Sequence, residues 1–151
     1  MTFKQFFQAV SYLQYPLMLV ALFFASKPYF NGLEAIKEDP SVYFENVNIM
    51  LIFMGLGLSF SSLQDTTRVQ SKLTRKVYED PKKGRIFFFS IILMIAFLLV
   101  SGLLAYFSTD DKAINELATG LIILSLGMLG FLKAGVEMRE NHRLDKNRDA
   151  G

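Results

Sequence analysis

The sequence predicts an all-α membrane protein: four transmembrane helices arranged as two antiparallel hairpins, with the second helix extended into the cytoplasm. Three observations predict it. The apolar residues come in four runs, at about 6–25, 47–63, 86–107 and 113–132. Each is about 17–22 residues long, which is what crossing a bilayer core of roughly 30 Å requires. The charged residues, only 20% of the 151, are segregated between the runs, whereas a soluble helical protein spreads its charges along amphipathic faces. Solid apolar runs also exclude a β-barrel, whose strands alternate every second residue.

The first span has Lys4 in front and is interrupted by Gln8 and Gln14. A cut after Ala25 would place bulky Phe23 where a signal peptide needs a small residue, so the span is expected to be retained. Pro16 lacks a backbone donor and disturbs the carbonyl of Tyr12, which predicts a kink. Residues 31–39 read as a short helix, with Asn31 as N-cap and Pro40 just past its end. The nearby Tyr29, Phe30, Leu33, Ile36, Tyr43 and Phe44 suit a segment at the membrane surface.

The second span is followed by the one long, strongly charged segment between apolar runs, residues 65–85. There Val69, Leu73 and Val77 recur every fourth residue. That is helical spacing, so the second helix is expected to continue to Asp80 and to stop at Pro81 and Gly84. The third span is the most uniformly apolar, broken only by Ser90 and Ser101, and Asp110 and Asp111 are N-cap candidates for the fourth. Residues 1–138 thus form one four-helix transmembrane domain, and 139–151 a polar tail. There is no repeat of solenoid period.

The distribution of Lys and Arg orients the chain. Of the 16, all but Lys27, Lys37 and Lys112 lie at the N-terminus, in the central stretch or in the tail. An excess of Lys and Arg stays cytoplasmic. Both termini and the central stretch are therefore expected inside, and an even number of spans agrees with both ends being on the same side. The predicted location is the cytoplasmic (inner) membrane, multi-pass.

Three sets of residues are candidates for function. Gln8, Ser11 and Gln14 on span one, with Asn48, Ser59 and Ser62 on span two, read as a polar path or as interhelical hydrogen bonds. No Asp, Glu, Lys or Arg lies deep in any span, so the usual mark of a proton relay is missing. Gly55 on span two and Gly120, Gly127 and Gly130 on span four read as close-packing positions, within one chain or between copies. Arg68, Lys72, Arg75, Lys76, Lys82, Lys83 and Arg85 form a basic face suited to anionic lipid or to a partner.

The sequence has no Cys and a single His, His142 in the polar tail, which leaves no thiol chemistry and no metal-ligand spacing. No nucleotide loop or catalytic motif is present, no cofactor is implied, and the acidic residues interleaved among the cations argue against nucleic acid. The expectation is a non-enzymatic membrane subunit or scaffold, as a homo-oligomer or in a larger complex. The alternative is a small oligomeric ion channel or transporter with spans one and two lining a polar path.

Overall fold

The structure, a computed structural model, describes residues 2–30, 40–67 and 77–142. Among the described residues it is all helical, with no strand. The helices are α1 (Phe3–Ser11), α2 (Gln14–Phe30), α3 (Pro40–Ser61), α4 (Pro81–Ser108) and α5 (Lys112–His142). Counting Phe3–Phe30 as one, four of them are long and apolar enough to cross a membrane.

Local chemistry sets the helix ends. Thr2 and Gln5 form a reciprocal capping box that starts α1. Tyr12 and Leu13 then close α1 with short-range bonds, Tyr12 N to Ala9 O at 3.2 Å and Leu13 N to Val10 O at 3.1 Å. Pro16 has no N–H for the Tyr12 carbonyl, which accepts instead from Tyr15 N at 3.1 Å. The disturbance expected from Pro16 therefore takes the form of a break between two helices. α2 then runs on past the apolar stretch, through Pro28, to Phe30.

The second apolar run does not continue into the charged stretch as one helix. α3 ends at Ser61, and the chain tightens into successive turns. Leu63 N bonds Phe60 O at 3.1 Å and Gln64 N bonds Ser61 O at 3.2 Å. The Asp65 carboxylate then accepts from Thr67 N at 3.0 Å and from Thr67 Oγ1 at 2.7 Å. A side chain that captures the backbone two residues on makes a turn at the expense of helix. Of the predicted stripe, Val69 and Leu73 lie outside the described residues, as do the predicted helix at 31–39 and the tail from 143; Val77 is helical, and the helical residues stop at Asp80.

The helical residues 77–79 stop at Asp80, as expected, and Asp80 and Pro81 also start the next helix. Asp80 is the N-cap of α4 and accepts from Lys82 N at 2.9 Å and Lys83 N at 3.2 Å. Pro81 takes the first helical position, where a missing N–H costs nothing. Asp111 caps α5 in the same way, accepting from Ala113 N at 2.9 Å and Ile114 N at 3.2 Å.

The helices pack in the order α2, α3, α5, α4. Met18 meets Gly57 and Phe24 stacks on Phe53, so α2 and α3 run in opposite directions. Asn48 meets Gly120, Gly55 meets Leu124, and Ser62 meets Gly130, so α3 and α5 run in the same direction. Gly102 meets Ala118 and Phe88 meets Gly135, so α4 and α5 run in opposite directions. One end of the molecule thus collects the starts of α1 and α4 and the ends of α3 and α5.

The core is Leu51, Ile91, Ile95, Leu124 and Met128, supplied by α3, α4 and α5. Beyond it the molecule turns apolar groups outward: Phe87, Phe89, Ile92, Leu93, Phe97 and Leu104 are exposed along α4, and Leu19, Leu22 and Phe23 along α2. Hydroxyls in this setting serve their own helices. Ser11, Ser59, Ser62, Ser90 and Ser125 each donate to a carbonyl three or four residues earlier, at 2.7 to 3.0 Å. Such back-bonding satisfies a polar group where no water is at hand.

Candidate functional site

Polar side chains concentrate where α1 and α4 begin and α3 and α5 end. Gln8 Oε1 accepts from Asp65 N at 2.9 Å, which ties α1 to the turn after α3. Asn141 Nδ2 donates to Thr66 O at 3.3 Å and ties α5 to the same turn. Among the described residues, three clefts lie around these anchors. One, of about 530 Å³, lies between Lys4, Gln5, Gln8 and Tyr12 on one side and Gln64 and Asp65 on the other. A second, of about 390 Å³, lies on the far side of Lys4, against Phe3, Phe7, Thr67 and Glu137. The third, of about 230 Å³, is lined by Gln14, Ser61, Gln64, Tyr78 and Gly135 among others.

A compact knot holds this end together. Tyr78, only 4% exposed, stacks on Phe88 at 5.8 Å. Arg139 lies over the other ring partner, with its guanidinium carbon 5.9 Å from the Phe88 centroid, and donates from Nη2 to Pro81 O at 3.0 Å. Its Nε is buried without a hydrogen-bond partner among the described residues. A Cβ at Gly84 would sit 2.5 Å from that Nε, and one at Gly135 would sit 2.9 Å from the Phe88 ring. Both glycines are therefore space requirements of the knot. Burial pushes the Tyr78 phenol above its ordinary value of 10.0 and keeps it neutral.

The predicted polar residues separate into two settings. Gln8 and Gln14 line clefts at the polar end, Gln14 in company with Ser61. Ser59 and Ser62 lie beside Gly130, and Asn48 beside Gly120, so the polar stripe of α3 faces α5, and its glycines, instead of α1 and α2. Ser11 is fully buried and bonded to Gln8 O. Asn48 Oδ1 is buried with no hydrogen-bond partner among the described residues.

Gly55, Gly120, Gly127 and Gly130 all lie between α3 and α5. A Cβ at Gly55 would be 2.7 Å from Ile123 O, and one at Gly127 would overlap the carbonyl of Gly55. The two backbones touch there with nothing between them, as small residues allow in helices that cross in lipid.

Of the basic set, Lys82, Lys83 and Arg85 are exposed on the opening turns of α4, with Lys83 Nζ 3.4 Å from Asp80. Arg68, Lys72, Arg75 and Lys76 lie outside the described residues. Sequence reasoning missed Tyr78, Arg139 and Gly135. Arg139 counted only as one of several tail cations, and Gly84 only as a helix terminator. The available signal was the pairing of an aromatic residue before α4 with a Gly just inside it.

Fold and site define a class: an all-helical protein with four helices suited to crossing a membrane and a polar, cation-bearing end. No protein-family model matches the chain, and neither does any curated protein or solved structure.

Proposed function

We propose that the protein is a non-enzymatic scaffold or subunit of the cytoplasmic membrane, built as two antiparallel hairpins with both termini inside, and that its basic end binds anionic lipid. The observation that carries this reading is the partition of cations between the two ends. Among the described residues, Lys4, Lys82, Lys83, Arg85, Lys133 and Arg139 lie toward the polar end, against Lys27 and Lys112 toward the other. Cations held near a membrane surface attract anionic headgroups, each contributing on the order of 1 kcal/mol. The remaining support is the outward-facing apolar surface, which needs lipid to cover it.

Lipid binding tests the reading. In mild detergent the wild-type protein is expected to retain an anionic phospholipid. Replacing Lys82, Lys83 and Arg85 together with Gln should weaken that retention by about a hundredfold at low salt and by less at high salt, because screening already weakens surface attraction. Equal retention by wild type and variant, at every salt concentration, would sink the proposal.

A further inference from the structure

We propose that the cleft between the start of α2 and the end of α3 binds the uncharged, hydroxyl-bearing headgroup of a glycerolipid, held by Gln14, Ser61, Gln64 and Tyr78. This rests on the reading that the polar end lies at the headgroup level of a membrane.

Tyr78 carries the argument. It is only 4% exposed, and its ring is stacked on Phe88. Its hydroxyl lies 3.6 Å from where a Cβ at Gly135 would be, and both residues line the cleft. Among the described residues that hydroxyl has no hydrogen-bond partner. Burial keeps it protonated, so it can donate as well as accept. A buried phenol with nothing to bond is uncommon, because such a group normally finds a partner.

Three more polar side chains share the cleft in the same condition. The amides of Gln14 and Gln64 and the hydroxyl of Ser61 line it, and among the described residues none of these groups is hydrogen-bonded. Their neighbours differ. Ser59 and Ser62, on either side of Ser61, bond back to their own helix at 3.0 and 2.7 Å. Gln8 bonds the Asp65 backbone N–H. Two amides, a hydroxyl and a phenol offer both donors and acceptors and carry no charge. No charged side chain among the described residues lines the cleft. A phosphate there would lose water without gaining a cation, which is costly. A hydroxyl, which donates and accepts at once, matches the set.

The apolar part of the wall argues for a lipid. Phe131, Ala134 and Met138 of α5 complete the cleft, and water finds nothing to bond on that side. Gln14 opens α2 and Ser61 closes α3, so the cleft lies where two spans end. α2 has 17 residues, about 26 Å at a rise of about 1.5 Å per residue, close to the roughly 30 Å of a bilayer core. The glycerol backbone of a lipid lies at that boundary. Tyr15, 52% exposed, also lines the cleft, which therefore reaches the outer surface of the helices. The volume, about 230 Å³, is below the roughly 300–1,000 Å³ of drug-sized sites. It suits a headgroup, with the acyl chain left along exposed apolar groups such as Leu19 and Leu22 of α2.

The full chain in mild detergent provides the test, with binding of mono-oleoylglycerol followed by native mass spectrometry. One molecule is expected per chain, held at least about tenfold more tightly than methyl oleate, which has the same acyl chain and no hydroxyl. Tyr78→Phe removes only the phenol oxygen and keeps the stack on Phe88. It should weaken mono-oleoylglycerol about tenfold and leave methyl oleate unchanged. Its unfolding temperature should stay at or above that of wild type, since no bond within the protein is lost. Gln14→Leu should weaken binding in the same direction. Free glycerol separates the sources, since the lipid should bind more tightly; equal binding would overturn the lipid in favour of a soluble polyol. Mono-oleoylglycerol held no better than methyl oleate, or held equally by wild type and Tyr78→Phe, overturns the site and leaves the cleft to water. A Tyr78→Phe protein that unfolds earlier overturns it too, because the hydroxyl then serves the fold. If anionic lipid is still held through Lys82, Lys83 and Arg85 in those cases, the scaffold reading stands and only the cleft assignment falls.

Discussion

At the scale of single residues, the contact between Gly55 and Gly127 is the least forgiving point in the molecule. Each presents its bare Cα to the other helix's backbone, and backbone cannot rotate aside as a side chain can. Gly127→Ala or Gly55→Ala must push α3 and α5 apart and strip contact from Leu51, Leu124 and Met128 beside them. Overpacking of this kind typically costs about 1–3 kcal/mol. Gly57 is the internal control. A Cβ there would meet only the flexible end of Met18, at 3.0 Å from Cε, and a Met side chain repacks readily. Thermal unfolding in detergent should therefore rank Gly127→Ala and Gly55→Ala well below wild type, with Gly57→Ala near it. A Gly57→Ala protein as damaged as the other two would mean that the crossing is not where the structure puts it.

At the scale of elements, what decides a helix boundary is a few hydrogen bonds, and these were only partly legible. The four apolar runs were legible because lipid imposes a length that composition alone reports. The start of α4 was not, because Asp80 and Pro81 admit two opposite meanings: a helix stop, or a cap with Pro at the first position. The structure has both, a helical stretch that stops at residue 79 and the cap that opens α4, and the cap carries a pH signature. The backbone N–H of Lys83 holds the Asp80 carboxyl below its ordinary value of 3.8; desolvation, next in size, opposes it, and the Lys82 N–H and the Lys83 ammonium add to the lowering. A depressed carboxyl contributes stability above its unfolded value and loses it as pH falls through the folded one. Protection of the Lys82 and Lys83 amides, measured against their intrinsic exchange rates, is thus expected to be high at neutral pH and to fall only on the acid side of the carboxylate range. Asp80→Asn should keep the cap and flatten that dependence, and Asp80→Ala should exchange quickly throughout. The end of α3 was misread for a related reason. Val69, Leu73 and Val77 have helical spacing, but periodicity says nothing of the Asp65 side chain, which takes the Thr67 backbone N–H. The site was harder still. Gln8, Gln14 and the glycines stood out by type, whereas Asp65, Tyr78 and Arg139 matter through neighbours far away in sequence, with Arg139 reaching Pro81 across 58 positions.

For the whole molecule, two separate features single out the same end. The contact pattern sends the starts of α1 and α4 and the ends of α3 and α5 to one end, and that end carries most of the Lys and Arg among the described residues. If helices cross a bilayer with the cation-rich side inside, a reporter fused after Gly151 and one inserted near Gly84 should both read cytoplasmic, and one near Asp39 should read external. The prediction is sharper than a count of spans, because packing and charge make it for different reasons. α3 and α5 run side by side in the same direction through touching glycines, so their ends cannot emerge on opposite faces without breaking the closest contact in the fold. Charge supplies only the sign. Replacing Lys82, Lys83 and Arg85 with Gln would therefore weaken the bias between inside and outside, while the Gly84 and Gly151 reporters should still agree with each other in every molecule. Reporters at these two sites that disagree would break the packing itself, and an external reading at both would overturn the orientation and leave the packing intact.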